Sequence, residues 1–125
     1  MLNPNVPAWF EIPATDLDRA QRFYESALDQ PLKRETMGEA EFVIFPSGGK
    51  PMSTGALIRQ EHCQPSMDGT TVYLSVEDLS VALDRLAGLG AQTIVPRTAL
   101  PEGMGFFAQF RDCEGNVMGL WQNAG

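Results

Sequence analysis

The stretch EIPATDLDRAQRFYESAL, residues 11–28, combines a short strand pattern with a helical pattern, and this combination recurs once in the chain. The second copy, YLSVEDLSVALDRLAGLGA, occupies residues 73–91. Each copy contains Asp-Leu-x-x-Ala, and the two aspartates, Asp16 and Asp78, lie 62 positions apart. Asp-Leu is common before helices, so chance is the alternative explanation. The recurrence of strand and helix in the same order favours duplication of one structural unit.

Apolar residues at helical spacing predict one helix in each copy. Thr15 and Asp18 resemble a capping box at the start of the first helix. Asp78 can cap the second helix, and Gly90 is suited to end it. The predicted buried stripes consist of Leu17, Ala20, Phe23, Tyr24, Ala27 and Leu28 in the first helix, and Leu79, Ala82, Leu83, Leu86 and Leu89 in the second.

Apolar and alternating runs predict strands on both sides of each helix. In the first half they cover residues 8–13, 41–46 and 54–60, with a weaker run near 32–36, and in the second half 70–76, 91–96, 105–110 and 117–122. We therefore expect a single domain, 1–125, built from a first module (8–60), a connector (61–69) and a second module (70–122). Residues 97–105 contain glycines and a proline and are predicted to form a mobile lid.

Composition narrows the class of protein. A chain of 125 residues is long enough for one domain with a hydrophobic core. Its formal net charge of −7 disfavours nucleic acid as a partner. No apolar run has membrane-spanning length and the N-terminus does not resemble a signal peptide, so we expect no membrane association and a cytoplasmic location. Cys63 and Cys113 do not form a disulfide framework.

Two segments carry a resemblance to a known family. DLDRAQRFYESAL (16–28) and FRDCEGNVMGL (110–120) resemble motifs of the vicinal oxygen chelate superfamily, which includes glyoxalase I, extradiol dioxygenases and bleomycin-resistance proteins. The resemblance implies an α+β fold in which two βαβββ modules pair curved mixed sheets around a cleft, commonly in a homodimer. Cys113 stands where the family usually has proline. Because the motifs describe a helix and a turn, they indicate the fold and not the reaction.

The resemblance also implies four metal-ligand positions in the cleft. Counting from the motifs places them at Trp9, Leu57, Thr71 and Gly119, with Ala56 replacing Leu57 if the register slips by one residue. Divalent metals at these positions need His, Glu or Gln side chains, whereas threonine alone is a weak ligand and the other side chains offer no donor. The single histidine, His62, lies in the connector and is expected to be solvated. We therefore expect neither a metal nor a cofactor.

Strand alternation predicts which side chains face the cleft. The cleft-facing set is Trp9, Glu11, Thr71, Tyr73, Ser75, Phe107, Gln109 and Trp121. The core-facing set is Phe10, Ile12, Val72, Leu74, Val76, Phe106, Ala108, Phe110, Met118 and Leu120. An apolar pocket with a few polar groups is typical of a small-molecule site, so binding of a small organic molecule is the predicted function. The alternative is that the aromatic side chains fill the cleft as a second core, with Gly119 making space for the Trp9 indole.

Glu11 is the candidate catalytic residue. A carboxylate among aromatic rings has a raised pKa unless a charge such as that of Arg59 or Arg111 is near, so Glu11 is suited to acid/base catalysis. It is also suited to anchoring a cationic ligand, or it is simply a solvated strand residue. Three classes of function therefore remain: a binding protein, an enzyme (a lyase, isomerase or dioxygenase using Glu11 or a non-standard metal site), and a structural or regulatory dimer.

Overall fold

The structure is a computed structural model that describes residues 8–49, 54–61 and 63–124. The first half contains β1 (Trp9–Pro13), α1 (Leu17–Leu28), β2 (Lys33–Met37), β3 (Ala40–Ile44) and β4 (Thr54–Arg59). The second half contains β5 (Tyr73–Ser75), α2 (Leu79–Gly88), β6 (Gln92–Ala99), a 3-10 turn (Pro101–Gly103), β7 (Phe106–Arg111) and β8 (Val117–Gln122). Each half thus follows the order strand, helix and three strands.

The strands form two mixed sheets of four strands each. Sheet 1 has the order β1-β4-β3-β2 and sheet 2 the order β5-β8-β7-β6. In both sheets the first and last strands of the half pair in parallel, and the remaining pairs are antiparallel. This arrangement confirms the predicted α+β fold. It leaves β1 and β5 as edge strands of their sheets.

The core lies between the helices and one face of each sheet, and the predicted alternation is confirmed. Of the predicted core-facing strand residues, Ile12, Ala108, Phe110, Met118 and Leu120 are buried, and Phe10, Val72, Leu74, Val76 and Phe106 pack against the same cluster. The helical stripes also enter this cluster, except for Leu89, which is 40% exposed because α2 ends at Gly88. Within the described ranges no helix is long and apolar enough to cross a membrane.

The start of α1 differs from the predicted capping box. Asp16 caps the helix, with its carboxylate accepting a hydrogen bond from the backbone N–H of Arg19 at 3.0 Å. Thr15 instead donates its hydroxyl to Glu114 at 2.7 Å. The Thr15–Asp18 prediction was therefore wrong, because a carboxylate distant in sequence binds the threonine.

The second helix follows the prediction at both ends. Asp78 accepts a hydrogen bond from the backbone N–H of Val81 at 3.1 Å. Gly90 has a φ of +82°, in the left-handed region that glycine tolerates. The backbone N–H of Ala91 then reaches the carbonyl of Leu86 at 3.0 Å, which closes a Schellman motif.

The lid predicted at 97–105 is largely a hairpin connection. Residues 97–99 belong to β6, which pairs with β7 and is longer than the predicted 91–96. β5, in contrast, is shorter than the predicted 70–76. Past the end of β6, the backbone N–H of Leu100 donates to the carbonyl of Gly105 at 2.8 Å. Backbone pairing therefore closes most of the segment expected to move freely.

The two motifs that carry the family resemblance contact each other. The Tyr24 hydroxyl on α1 donates to Asp112 at 2.7 Å, and Asp112 is only 6% exposed. Burial, and then the Asp112 charge, raise the pKa of Tyr24 well above its usual value, so the hydroxyl stays protonated. Asn116, also 6% exposed, donates its side-chain amide to the Pro13 carbonyl at 2.8 Å. We call this turn of the second half (Asp112–Asn116), with Tyr24, Thr15 and Arg19, the clasp.

Glu114 completes the clasp at the N-terminus of α1. Its carboxylate accepts hydrogen bonds from Thr15, from the backbone N–H of Asp16 and from the Arg19 guanidinium. Burial alone raises the pKa of Glu114, but the hydrogen bonds from Thr15 and Arg19 outweigh burial and leave the pKa below its usual value. A carboxylate is favourable here because the free N–H groups at a helix N-terminus carry partial positive charge.

Both cysteines are free thiols. Cys113 is half-buried inside the clasp turn. Burial, and then the charges of Asp112 and Glu114, raise the pKa of its thiol to about 11. Cys113 therefore carries almost no thiolate at neutral pH.

Candidate functional site

Three aromatic side chains of the second half, those of Tyr73, Phe107 and Trp121, share the face of sheet 2 opposite the core-facing Phe106 and Phe110. Tyr73 on β5 and Gln109 on β7 both pair with Gly119 on β8, which lies between them. In the next row, Phe107 pairs with Trp121. We call this surface, formed by Tyr73, Phe107, Gln109, Gly119 and Trp121, the aromatic face.

Gly119 provides the space that the Tyr73 ring occupies. A Cβ atom at position 119 would lie 2.2 Å from the nearest carbon of that ring, far inside van der Waals contact. The Tyr73 oxygen then receives a hydrogen bond from Nε2 of Gln109 at 2.7 Å. The alternative hypothesis from the sequence, in which Gly119 makes space for the Trp9 indole, is therefore wrong, because the Tyr73 ring fills that space.

The aromatic rings are held in place but remain accessible. The Tyr73 and Phe107 ring centroids lie 6.3 Å apart in an edge-to-face arrangement. The Trp121 indole N–H donates to the Met104 carbonyl at 2.9 Å, which attaches the hairpin end to the aromatic face. Tyr73 is 45% exposed, and Phe107, Gln109 and Trp121 are half-buried. This face therefore presents ring surface and polar atoms to solvent.

The other predicted cleft residues lie on sheet 1. Trp9 packs on a small apolar cluster formed by Phe42, Ala56 and Ile58, which are all buried. Its indole N–H donates to Glu11 at 3.3 Å. The face of sheet 1 that carries Trp9 therefore has a small apolar cluster of its own, as the hypothesis of a second core expects. Among the described residues, no hydrogen bond, ion pair or ring contact joins Trp9 or Glu11 to the aromatic face, so the predicted set is divided between two surfaces.

Glu11 lacks the surroundings that the acid/base hypothesis requires. The residue is exposed, and the hydrogen bond from Trp9 is the contact that the structure gives its carboxylate. Arg59 forms an ion pair with Glu41 at 3.0 Å instead. Arg111 lies on sheet 2, on the same face as Gln109. Neither arginine therefore serves Glu11 as a charge partner.

The remaining predicted residues flank the aromatic face. Ser75 pairs with Trp121 and is exposed, and Thr71 is half-buried just before β5. The carbonyl of Val72 accepts a hydrogen bond from the backbone N–H of Gly119 at 2.8 Å, which holds this segment beside β8. Thr71 and Ser75 are therefore near the aromatic face but make no side-chain hydrogen bond to it.

Two crevices lie between the halves, and sequence reasoning missed both. The larger, of about 710 Å³, is lined by Phe10, Phe45, Tyr73 and Val81, among others. The smaller, of about 370 Å³, includes Glu11. No local signal indicates such crevices, because residues from distant parts of the chain form their walls.

Comparison with known proteins decides the family. The model of the Glyoxalase/Bleomycin resistance protein/Dioxygenase superfamily matches residues 7–120. The chain belongs to this superfamily. No curated protein matches this superfamily member in sequence.

Solved structures agree on the fold. A glyoxylase/bleomycin resistance protein/dioxygenase domain from a Frankia species is 23% identical with a TM-score of 0.68, covering 97% of this chain and 99% of that one. An antibiotic-binding protein from a Streptomyces species is 21% identical with a TM-score of 0.70, covering 98% and 99%. A fosfomycin resistance protein from Listeria monocytogenes is 12% identical with a TM-score of 0.63, covering 98% and 95%. At these identities the likeness shows the fold alone.

The four positions that the family resemblance implies for metal ligands carry side chains that lack the donors a divalent metal needs. Glu11 pairs with Ala56 just as Tyr73 pairs with Gly119, so Ala56 is the counterpart of Gly119. Leu57 was the wrong choice, because it is 1% exposed in the core. The donor set at these positions is reduced to one threonine hydroxyl, and the Tyr73 ring covers Gly119. Among the described residues there is no group of three or more His, Cys, Asp or Glu that could hold a metal, and His62 lies outside them.

Proposed function

We propose that this superfamily member binds a small, planar organic molecule on its aromatic face without a metal ion. The observation that carries the proposal is the Tyr73 ring lying over Gly119, which replaces a ligand position with an exposed aromatic surface. Aromatic rings with a few oriented polar groups are typical of small-molecule sites. Phe107 and Trp121 supply further ring surface, and Gln109 supplies polar atoms.

A homodimer belongs to the same proposal. A drug-sized ligand buries most of its surface in its site, whereas an open sheet face covers only one side of it. Trp9 and Glu11, together with Thr71, are the predicted ligand-binding residues outside the aromatic face. A second copy that sets the partner subunit's Trp9 opposite Trp121 would close the site. Sedimentation velocity should then show a dimer, and a monomer at binding concentrations would contradict this part.

The resemblance to particular neighbours gives limited support. The Streptomyces neighbour is an antibiotic-binding protein and the Listeria neighbour is a fosfomycin resistance protein. These descriptions indicate that the fold accommodates small-molecule recognition. They do not identify the ligand of this chain.

The other two classes receive less support. An enzyme using Glu11 as acid or base would benefit from a desolvated carboxylate, and Glu11 is exposed. A structural or regulatory dimer with a filled cleft agrees with the buried cluster on sheet 1. It does not by itself give a role to the accessible polar atoms of Tyr73 and Gln109 beside the rings on sheet 2, which a ligand site uses.

Tryptophan fluorescence tests the binding function. The protein has two tryptophans, Trp9 and Trp121, so an emission change that is present in the native protein and absent from a Trp121→Phe variant reports the aromatic face. We expect planar aromatic compounds to change this emission saturably and aliphatic compounds of similar size to have no effect. Trp121→Ala, followed by calorimetry, should weaken binding at least about fivefold, since stacking contributes about 1 kcal/mol beyond area. Unchanged affinity in that variant would contradict the proposed site.

Metal retention tests the other half of the proposal. Untagged protein is exposed in turn to zinc, nickel, manganese and iron(II) and is then desalted. We expect no stoichiometric retention. Retention of any of these ions would return the protein to the metal-dependent classes and would implicate Glu11 as a displaced ligand.

A further inference from the structure

Tyr73 and Gln109 retain hydrogen-bonding capacity that the protein does not use. In the bond between them the Tyr73 oxygen accepts, so the hydroxyl proton is available to another acceptor. The Gln109 side chain uses one N–H, which leaves its carbonyl oxygen as an acceptor and its second N–H as a donor. The described residues provide no further partner for either side chain. A donor and an acceptor therefore lie side by side on the aromatic face.

The position of this pair depends on Gly119. Tyr73 and Gln109 lie on strands two apart in the sheet, and Gly119 is the residue between them. The φ of Gly119 is outside the left-handed region, so the backbone here accepts any residue and the reason for glycine is space. A side chain at 119 would displace the Tyr73 ring and separate its hydroxyl from Gln109. Gly119 is thus a positioning residue for the pair.

We infer that Tyr73 and Gln109 select, among planar ligands, those that carry a neutral cis-amide edge such as a lactam or a carboxamide. The Tyr73 hydroxyl would donate to the ligand carbonyl, and the Gln109 carbonyl would accept the ligand N–H. This inference rests on the proposed function, because it names the ligand class of the same site. It assigns specificity to two side chains that carry no charge.

The charges nearby agree with a neutral ligand edge. Arg111 occupies the same face two residues along β7, but its guanidinium lies against Gly115 in the clasp turn. Its nitrogen would be 3.7 Å from a Cβ at that glycine. A ligand carboxylate would therefore meet the Gln109 carbonyl oxygen without a cation held beside it. An amide edge instead satisfies both the donor and the acceptor.

Two matched probes test the inference: 2-quinolinone, which has an adjacent carbonyl and N–H, and 1-methyl-2-quinolinone, in which the N–H is blocked. Calorimetry should show about tenfold tighter binding of 2-quinolinone, because the blocked probe leaves the Gln109 acceptor unpaired. Gln109→Leu and Tyr73→Phe should each reduce this preference toward one. Gly119→Ala should reduce it as well, since the alanine displaces Tyr73.

Controls separate the inference from the proposed function. Trp121→Ala should weaken both probes by the same factor and leave the preference intact. Equal affinity of the two probes for the native protein would overturn the inference while leaving aromatic binding in place. A preference for 2-quinolinone that survives in both Gln109→Leu and Tyr73→Phe would overturn it in the same way. Failure of both probes to bind would overturn the inference, and the fluorescence panel would then decide the proposed function separately. Thermal unfolding of each variant confirms that it is folded.

Discussion

The clasp gives the sharpest prediction about stability. Tyr24→Phe removes one hydroxyl and leaves the ring, which contacts Phe23, Phe45 and Phe110, in place. Asp112 then loses its 2.7 Å donor. A hydrogen bond to a charged group contributes about 1.5–3 kcal/mol, so we expect a loss of about 2 kcal/mol in the free energy of unfolding. For a chain of this length, that corresponds to a fall of roughly 6–10 °C in Tm.

Urea unfolding measures this loss, and the chain contains a matched control. Tyr73→Phe also removes one hydroxyl, but from an exposed ring, so it should cost less than about 0.5 kcal/mol. The midpoint should fall for Tyr24→Phe while the m-value stays unchanged, since the surface exposed on unfolding is the same. If the two variants lose equal stability, the clasp does not hold the halves together as described.

Three further predictions follow from the clasp and the aromatic face. The pKa of Glu114 is lower in the folded protein than its ordinary value of 4.5 in the unfolded chain, so ionised Glu114 stabilises the fold at pH values above 4.5. This contribution to the free energy of unfolding is lost as the pH falls through the folded-state pKa. Glu114→Gln should therefore flatten the loss of stability below about pH 4.5 in acid titrations followed by circular dichroism, and an unchanged profile would contradict this assignment. Trp121→Phe keeps an aromatic ring but removes the N–H that binds Met104; amide hydrogen exchange in residues 100–105 should then become faster, and identical exchange would show that the bond does not restrain the hairpin. With a thiol pKa of about 11, Cys113 carries about 100-fold less thiolate at pH 7.5 than a thiol of pKa 9, and because a more basic thiolate is the stronger nucleophile it should react with disulfide reagents roughly tenfold more slowly, measured in a Cys63→Ser variant. Rapid labelling of folded protein would refute the buried environment.

Local patterns were sufficient wherever a side chain's role depends on its near neighbours in sequence. The alternation around Leu120 and Phe110 predicted which strand faces are buried, because successive side chains in a strand point to opposite faces. Asp78 and Gly90 predicted both ends of α2 for a similar reason, since capping bonds span only a few residues. The element order and the fold class followed from such patterns together with the repeat.

Predictions failed where a partner is distant in the chain. Thr15 has the spacing of a capping residue, but Glu114 binds it from the other half. The counterpart of Gly119 is Ala56 and not Leu57, because the two halves differ by one residue in the spacing between the helix and the last strand. A shift of one residue moves a strand side chain to the opposite face of the sheet. The offset of 62, which was taken from the helices, therefore could not decide whether Ala56 or Leu57 is the counterpart of Gly119.

The sequence by itself thus determined the two strand–helix–three-strand units and their buried faces. Each of these depends on residue type and on short-range spacing. Only the tertiary structure decided that Tyr73 occupies the space over Gly119, that Trp9 and Glu11 lie apart from Trp121, and that the two family motifs form one clasp. The physical reason is that these contacts depend on the relative placement of strands and halves. That placement results from packing of the whole core, and no single segment of the chain encodes it.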